Sequence, residues 1–149
     1  IMVVAAAGNN GPKENTVTIP GISRKVLTVG SSDDDTYDRG RKVLRTGYSG
    51  RGPTACCIVK PEILAPGTGI TSCSRDKTGY QVKSGTSMAT PVVTGAVAVL
   101  LSAKPRLRPA EVKLILHDSA VETSGGTEKK RSWGKLDVRR MLLQSRSFS

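Results

Sequence analysis

The sequence predicts an α/β layered protein, of which this chain would be part. Short apolar segments typical of buried strands occupy the first half of the chain, and longer apolar segments typical of helices follow. The first strand candidate, residues 2–7, has no polar face, and such a strand needs neighbouring strands and covering layers. The chain also opens on it without a start methionine or signal peptide. We therefore expect this chain to be the C-terminal part of a longer protein.

Five short segments predict strands, and they are residues 2–7, 26–29, 62–65, 69–72 and 80–83. Turns containing Gly or Pro end the first three, and a turn around Asp76 joins the last two into a pair. The stretch 31–53 is polar and rich in Gly, Asp and Arg, so we expect a surface loop or an exposed hairpin there.

Three helices are predicted in the second half. Residues 87–103 are apolar nearly all round, which indicates a helix buried in the core. Pro91 lies near its start, where a missing N–H costs least, and Pro105 lies beyond its end. A second, amphipathic helix opens with Pro109, and a short third helix is expected at 137–144.

Composition narrows the functional classes. A length of 149 residues fits one domain, and no run of about 18 apolar residues is present, so no membrane helix or membrane partner is expected. The 23 basic and 12 acidic residues give a net charge of +11. This charge is dispersed and aromatic residues are only 3%, so we interpret it as a solvated surface and expect no nucleic-acid partner.

The three cysteines, Cys56, Cys57 and Cys73, form an odd set. A disulfide between neighbours is strained, so only Cys73 with one of the adjacent pair could form an ordinary bridge. No Cys-x-x-Cys or Cys/His spacing suits zinc. Free thiols in a reducing compartment are the simpler interpretation, which favours a cytoplasmic location.

Two segments contain residues that could take part in catalysis. In residues 84–91, Ser-Gly-Thr-Ser-Met-Ala-Thr-Pro, a strand ends and a helix begins, and a nucleophilic Ser87 would be exposed beside the positive helix end. The same pattern is typical of a serine N-cap. In residues 5–11, Asn9 follows a buried strand and precedes a turn, so it is either a turn residue or an amide donor to an oxyanion.

Together these segments resemble the subtilisin-like serine proteases (subtilases). Residues 5–12 are similar to the family's oxyanion-asparagine motif, and residues 85–91 are similar to its catalytic-serine motif. Other family-like segments follow in the family's order, at residues 19–21, 26–30, 48–53, 60–67 and 133–138. The resemblance implies a three-layer subtilisin-like α/β fold with a mostly parallel sheet, of which only the C-terminal half is present. Residues 1–149 would then be the C-terminal portion of a single peptidase domain.

The resemblance also implies roles for individual residues. Ser87 would be the nucleophile of a serine endopeptidase that works through an acyl-enzyme, and its own N–H would help to bind the oxyanion. Asn9 would be the side-chain donor to that oxyanion. Ala7 and Gly8 would line the pocket for the substrate residue before the cleaved bond, and Met88 would be a site of oxidative inactivation.

One departure from the family is large. In subtilases the triad Asp and His precede the Ser, so both would lie upstream of Ile1. His117 is the only histidine and falls in the second predicted helix, where we expect a structural role. No cofactor is needed for the chemistry. A structural calcium ion has no clear motif, because the loop carboxylates lack the spacing of a calcium loop (Asp33, Asp34, Asp35 and Asp38).

The sequence leaves three readings of function open. The first is a protease fragment that acts on protein or peptide substrates, is inactive alone, and pairs with its missing N-terminal half or self-associates through an exposed sheet edge. The second is a catalytically dead subtilase homologue. The third is a basic phosphate- or nucleic-acid-binding module that uses the helix start at Gly85, although the Lys of a phosphate loop is missing.

Overall fold

A computed structural model describes residues 1–33, 47–76, 79–122 and 132–148. Its main sheet is parallel, with strand order β1-β2-β3, and a separate antiparallel pair is formed by β4 and β5. The strands are β1 (Val4–Ala6), β2 (Leu27–Ser31), β3 (Ile63–Ala65), β4 (Ile70–Cys73) and β5 (Tyr80–Lys83). The helices are α1 (Thr86–Ala103), α2 (Pro109–Ser119) and α3 (Val138–Gln144), and a 3₁₀ turn follows at Ser145–Ser147. The α/β class is confirmed, and the five predicted strands and three predicted helices each have a counterpart.

The parallel register brings the segment that contains Asn9 and the start of α1 to the same end of the sheet. Val4 pairs with Leu27, and Val29 pairs with Ile63. Because parallel strands point the same way, the segments that follow β1 and β3 both leave the sheet at its carboxyl end. Helix α1 begins there too, since the N–H of Gly85 donates to the carbonyl of Gly67 just after β3 at 2.8 Å.

Helix α1 is less buried than its sequence predicts. One face packs on the sheet through Ala89, Val93 and Leu100, which are fully buried. Val92 and Val99 on the outer face are 39% and 48% exposed. The prediction of burial all round is therefore wrong for this chain, because no element among the described residues covers that outer face.

By length and composition alone, α1 is the one helix in the described ranges that could cross a membrane. A buried core helix passes the same test, so the expectation of no membrane helix stays a prediction.

The expectation of a surface loop or exposed hairpin at residues 31–53 is corrected in part. Residues 34–46 of the predicted surface loop lie outside the described residues. The rest of that loop is not simply exposed, because Ser49 and Gly50 are buried and pack on the segment after β1. The N–H of Gly50 donates to the carbonyl of Gly8 at 2.8 Å.

A buried ion network joins α2 to the start of β3. The Lys60 ammonium, fully buried, donates to Glu62 Oε2 at 2.7 Å and to Thr28 Oγ1 at 2.9 Å. Lys113 of α2 donates to the other carboxylate oxygen of Glu62 at 2.8 Å. Burial lowers the pKa of Lys60 from its usual value, and the contact with Glu62 opposes that change. One carboxylate thus connects two strands and a helix at the end of the sheet opposite the start of α1.

Candidate active site

Ser87 occupies the first turn of α1, but it is not the helix N-cap. The N-cap is Gly85, whose φ of 154° lies in a region that side chains rarely adopt, and it offers no side chain to cap the helix. The Ser87 side chain is exposed. Neither its hydroxyl nor its backbone N–H has a hydrogen-bond partner among the described residues. The N-cap interpretation of Ser87 is therefore wrong, and its polar groups face open space.

Asn9 caps the helix in place of Gly85. Its side-chain oxygen Oδ1 accepts a hydrogen bond from the backbone N–H of Thr86 at 3.0 Å and another from the Thr86 hydroxyl, also at 3.0 Å. An N-terminal helix N–H needs such an external acceptor because it has no partner within the helix. With Oδ1 fixed, the Nδ2 group of Asn9 lies against Gly85, 3.3 Å from where a Cβ would be.

Two N–H donors are consequently left at the same helix end. Asn9 Nδ2 has no acceptor within the described parts of the chain, and neither has the backbone N–H of Ser87. Both belong to groups whose positions are fixed, Asn9 by its two bonds from Thr86 and Ser87 by the helix. Fixed donors beside an exposed serine can stabilise negative charge on an oxygen that forms there.

Thr86 is the site residue that the sequence did not indicate. It is fully buried, and its hydroxyl oxygen accepts the N–H of Gly8 at 3.2 Å while donating to Asn9 Oδ1. It therefore joins the two functional segments, which are 77 residues apart in the chain. Its only sequence signal is the position directly before Ser87, where it reads as one small residue among several.

Ala7 and Gly8 lie beside Asn9, as predicted, but their contacts are structural. Ala7 is fully buried, and its backbone bonds to Val29 and Thr18 at 2.9 Å each. Gly8 has a φ of 94°, and a Cβ there would lie 2.5 Å from the Thr18 hydroxyl, so only glycine fits. A role for Ala7 and Gly8 in lining a substrate pocket stays a prediction.

The other candidates lie apart from Ser87. His117 is an exposed residue of α2, with its Nδ1 2.9 Å from Asp118 Oδ1 and its ring edge-on to Trp133. Met88, half-buried, follows Ser87 directly. Asp33 binds backbone N–H groups near β3, whereas Asp34, Asp35 and Asp38 lie outside the described residues.

The side chains that could ligate a metal and the three cysteines are dispersed in the described ranges. No group of three His, Cys, Asp or Glu side chains there could hold a metal ion. The three cysteines (Cys56, Cys57 and Cys73) are free and exposed. A reducing, cytoplasmic compartment stays a prediction.

A serine that is exposed next to two fixed, unengaged N–H donors is the arrangement of enzymes that form acyl-serine intermediates. Within that class the chain belongs to the subtilases, since the family model described as "Subtilase family" matches residues 1–136. The recognition from sequence motifs is thereby confirmed.

Individual relatives agree with the family assignment. The chain is 42% identical over 129 residues to the serine protease AprX of Bacillus subtilis (strain 168), which covers 78% of this chain and 29% of AprX. It is 34% identical over 150 residues to the human membrane-bound transcription factor site-1 protease, covering 94% of this chain and 13% of that protein. It thus spans less than a third of either relative.

Solved structures confirm the subtilisin-like fold. The patellamide maturation protease PatA matches with a TM-score of 0.79 and 29% identity, covering 100% of this chain and 53% of the PatA chain. The prenylagaramide maturation protease PagA matches with a TM-score of 0.74 and 30% identity, covering 97% and 50% respectively. The chain therefore corresponds to about half of each of these solved chains.

Proposed function

We propose that the whole protein is a serine endopeptidase and that Ser87 is its nucleophile. The observation that carries this proposal is the fixed orientation of Asn9, whose oxygen is held by Thr86 so that its Nδ2 group remains available next to Ser87. An amide held this way needs no reorganisation when charge develops on a substrate oxygen, which is the condition for strong transition-state stabilisation.

The reaction follows from this geometry. The Ser87 oxygen attacks the carbonyl carbon of a peptide bond, and the carbonyl oxygen becomes an oxyanion. Asn9 Nδ2 and the Ser87 backbone N–H donate hydrogen bonds to that oxyanion. Collapse of the tetrahedral intermediate expels the amine and leaves an acyl group on Ser87, which water then removes.

The Ser87 proton requires a base that the described residues do not place beside it. His117 contacts Asp118 and Trp133 instead. In subtilases the acid and base precede the serine in the chain. We therefore assign the base to a part of the protein outside these 149 residues, which would form the C-terminal portion of one peptidase domain.

The N-terminal half of the same domain is the partner that this assignment requires. Strand β1 has no neighbour on its outer edge among the described strands, and Val3 beside it is 50% exposed. The outer face of α1 is likewise apolar and open, with Val92 and Val99 exposed. An unpaired edge and an apolar face of this kind favour association. When that half is absent, we expect a second copy of the chain to bind at the same open surfaces.

The substrates in this proposal are proteins or peptides. The support is that the relatives are named proteases, and that PatA and PagA are titled maturation proteases.

A fluorophosphonate probe tests the proposal in the full-length protein, because it reacts with an activated serine. We expect one covalent adduct on Ser87 and no adduct in Ser87→Ala. Ser102→Ala is the matched control, since Ser102 is an exposed serine of the same helix, bonded only to the carbonyl of Val99. Absence of labelling in the wild-type protein would overturn the proposal and favour a catalytically dead homologue.

A further inference from the structure

We propose that Asp33 is a positioning residue for Ser87. It fixes the turn between β3 and β4 at residues 67 and 68, and through that turn it fixes the start of helix α1, which carries Ser87. This inference rests on the proposed function and adds a residue that neither motif contains. Asp33 follows the end of β2 and makes its contacts at the carboxyl end of the sheet, where α1 begins.

The carboxylate of Asp33 holds the segment after β3. Its Oδ1 accepts the N–H of Gly67 at 2.8 Å and the N–H of Thr68 at 3.1 Å, while Oδ2 lies 3.2 Å from the same Thr68 N–H. The hydroxyl of Ser31 also donates to Oδ1 at 2.8 Å. A carboxylate bound by several donors forms charge-assisted hydrogen bonds, which are stronger than neutral ones.

Gly67 connects this segment to the start of α1. Its carbonyl accepts the N–H of Gly85 at 2.8 Å, and Gly85 is the N-cap two residues before Ser87. The two segments are in such close contact that a Cβ on Gly67 would lie 2.8 Å from the Gly85 carbonyl oxygen and 3.2 Å from Ala89 Cβ. A shift of Gly67 therefore has to move Gly85.

Tyr48 holds the same segment through a contact that does not involve Asp33. Its hydroxyl lies 2.9 Å from Thr68 Oγ1, and 2.9 Å from the Ser31 Oγ that also donates to Asp33. Because the contact between Tyr48 and Thr68 does not require the Asp33 carboxylate, we expect Asp33 variants to fold but to hold the turn less accurately. Asp33→Asn keeps one acceptor oxygen but turns an NH₂ group toward an N–H donor, so it should restore part of the effect only.

The experiment compares Asp33→Ala and Asp33→Asn in the full-length protein, with Asp118→Asn as the matched control. Asp118 is a carboxylate of α2 whose described contact is His117, away from this turn. The readouts are kcat per fluorophosphonate-titrated site, KM, and the hydrogen-exchange rate of the Gly85 amide. We expect kcat to fall about 10- to 100-fold in Asp33→Ala, since small misplacements of reacting groups have effects of this size.

KM should change little, Asp33→Asn should be intermediate, and the Gly85 amide should exchange faster in Asp33→Ala. Unchanged kcat per titrated site, with only fewer active sites, would overturn the proposal because it indicates a purely structural role. Unchanged Gly85 exchange would overturn it as well. If the wild-type protein is not labelled at all, the proposed function fails, and the Gly85 exchange rate still decides whether Asp33 positions the turn.

Discussion

The carboxamide of Asn9 has two ends with different tasks. Its oxygen caps α1 by accepting two hydrogen bonds from Thr86, and its nitrogen is left as a donor beside Ser87. The cap contributes to the stability of the helix start, typically about 1 kcal/mol. In the proposed mechanism the nitrogen contributes only when an oxyanion forms. Substitutions at this one residue can therefore separate stability from catalysis.

Asn9→Ala and Asn9→Asp should separate these tasks. Asn9→Ala removes cap and donor, so we expect a lower melting temperature and a loss of kcat of about 10²–10³-fold, a magnitude taken from subtilisin itself. Asn9→Asp keeps the capping oxygen but places a negative charge by the oxyanion, so kcat should fall at least as far at nearly unchanged stability. Steady-state kinetics and calorimetry on the full-length protein measure both. A raised KM at normal kcat would instead assign Asn9 to substrate binding.

Thr86→Val should damage the site although it preserves side-chain shape. The buried hydroxyl serves the N–H of Gly8 and the oxygen of Asn9, and both would lose a partner. Leaving buried polar groups unpaired costs about 1–3 kcal/mol. We expect a lower unfolding midpoint in urea and a lower kcat, with both recovered in Thr86→Ser. Equal loss in Thr86→Ser would show that the methyl group, not the hydroxyl, matters.

At the scale of the elements, features that depend on neighbouring residues were predictable from the sequence. Features that depend on contacts between distant residues were not. The helix at Pro109–Ser119 was predictable because Pro109 and the apolar spacing lie within it. The roles of Thr86 and Asp33 were not, because their partners are 77 and 34–35 residues away and leave no local pattern. The burial of α1 was overestimated for the same reason, since an apolar composition does not say which element is available to cover the outer face of the helix.

The Glu62 carboxylate offers a test of how α2 is attached to the sheet. Glu62→Gln keeps the shape of the side chain but removes the counter-charge that Lys60 and Lys113 have among the described residues. Removing one member of a buried ion network costs about 3–5 kcal/mol. We expect a large fall in the urea midpoint of the full-length protein. Glu111→Gln is the control, because its Arg108 partner is exposed and surface pairs contribute little; similar effects of both changes would contradict this view.

At the scale of the whole molecule, the proposed function assigns a nucleophile and oxyanion donors to this chain, which matches only part of the relatives' length. The chain corresponds to 53% of the PatA chain and leaves the β1 edge and the outer face of α1 open. In the proposed function the base for Ser87 lies outside the described residues, so we expect the part of the protein that covers these open surfaces also to carry that base.

The isolated chain should consequently be catalytically inert. Ser87 without a base stays protonated and weakly nucleophilic near neutral pH, and oxyanion donors cannot replace proton transfer. We expect no fluorophosphonate labelling of the 149-residue chain alone and labelling of Ser87 once the N-terminal half is added. Size-exclusion chromatography of the chain alone should show self-association. Rapid labelling of the isolated chain would require a base within it, and His117 would be the first to mutate.

The cap on α1 has a consequence for the order of events during biosynthesis. Gly85 cannot close the helix end itself, so the closing group comes from Asn9, 77 residues earlier. Contacts over such separations form late, because the entropy of closing the intervening loop must be overcome first. We therefore expect a ribosome-bound or partly collapsed chain to contain Ser87 before Asn9 caps the helix beside it. Under the proposed function, peptide-bond hydrolysis should then begin only once the native topology has formed.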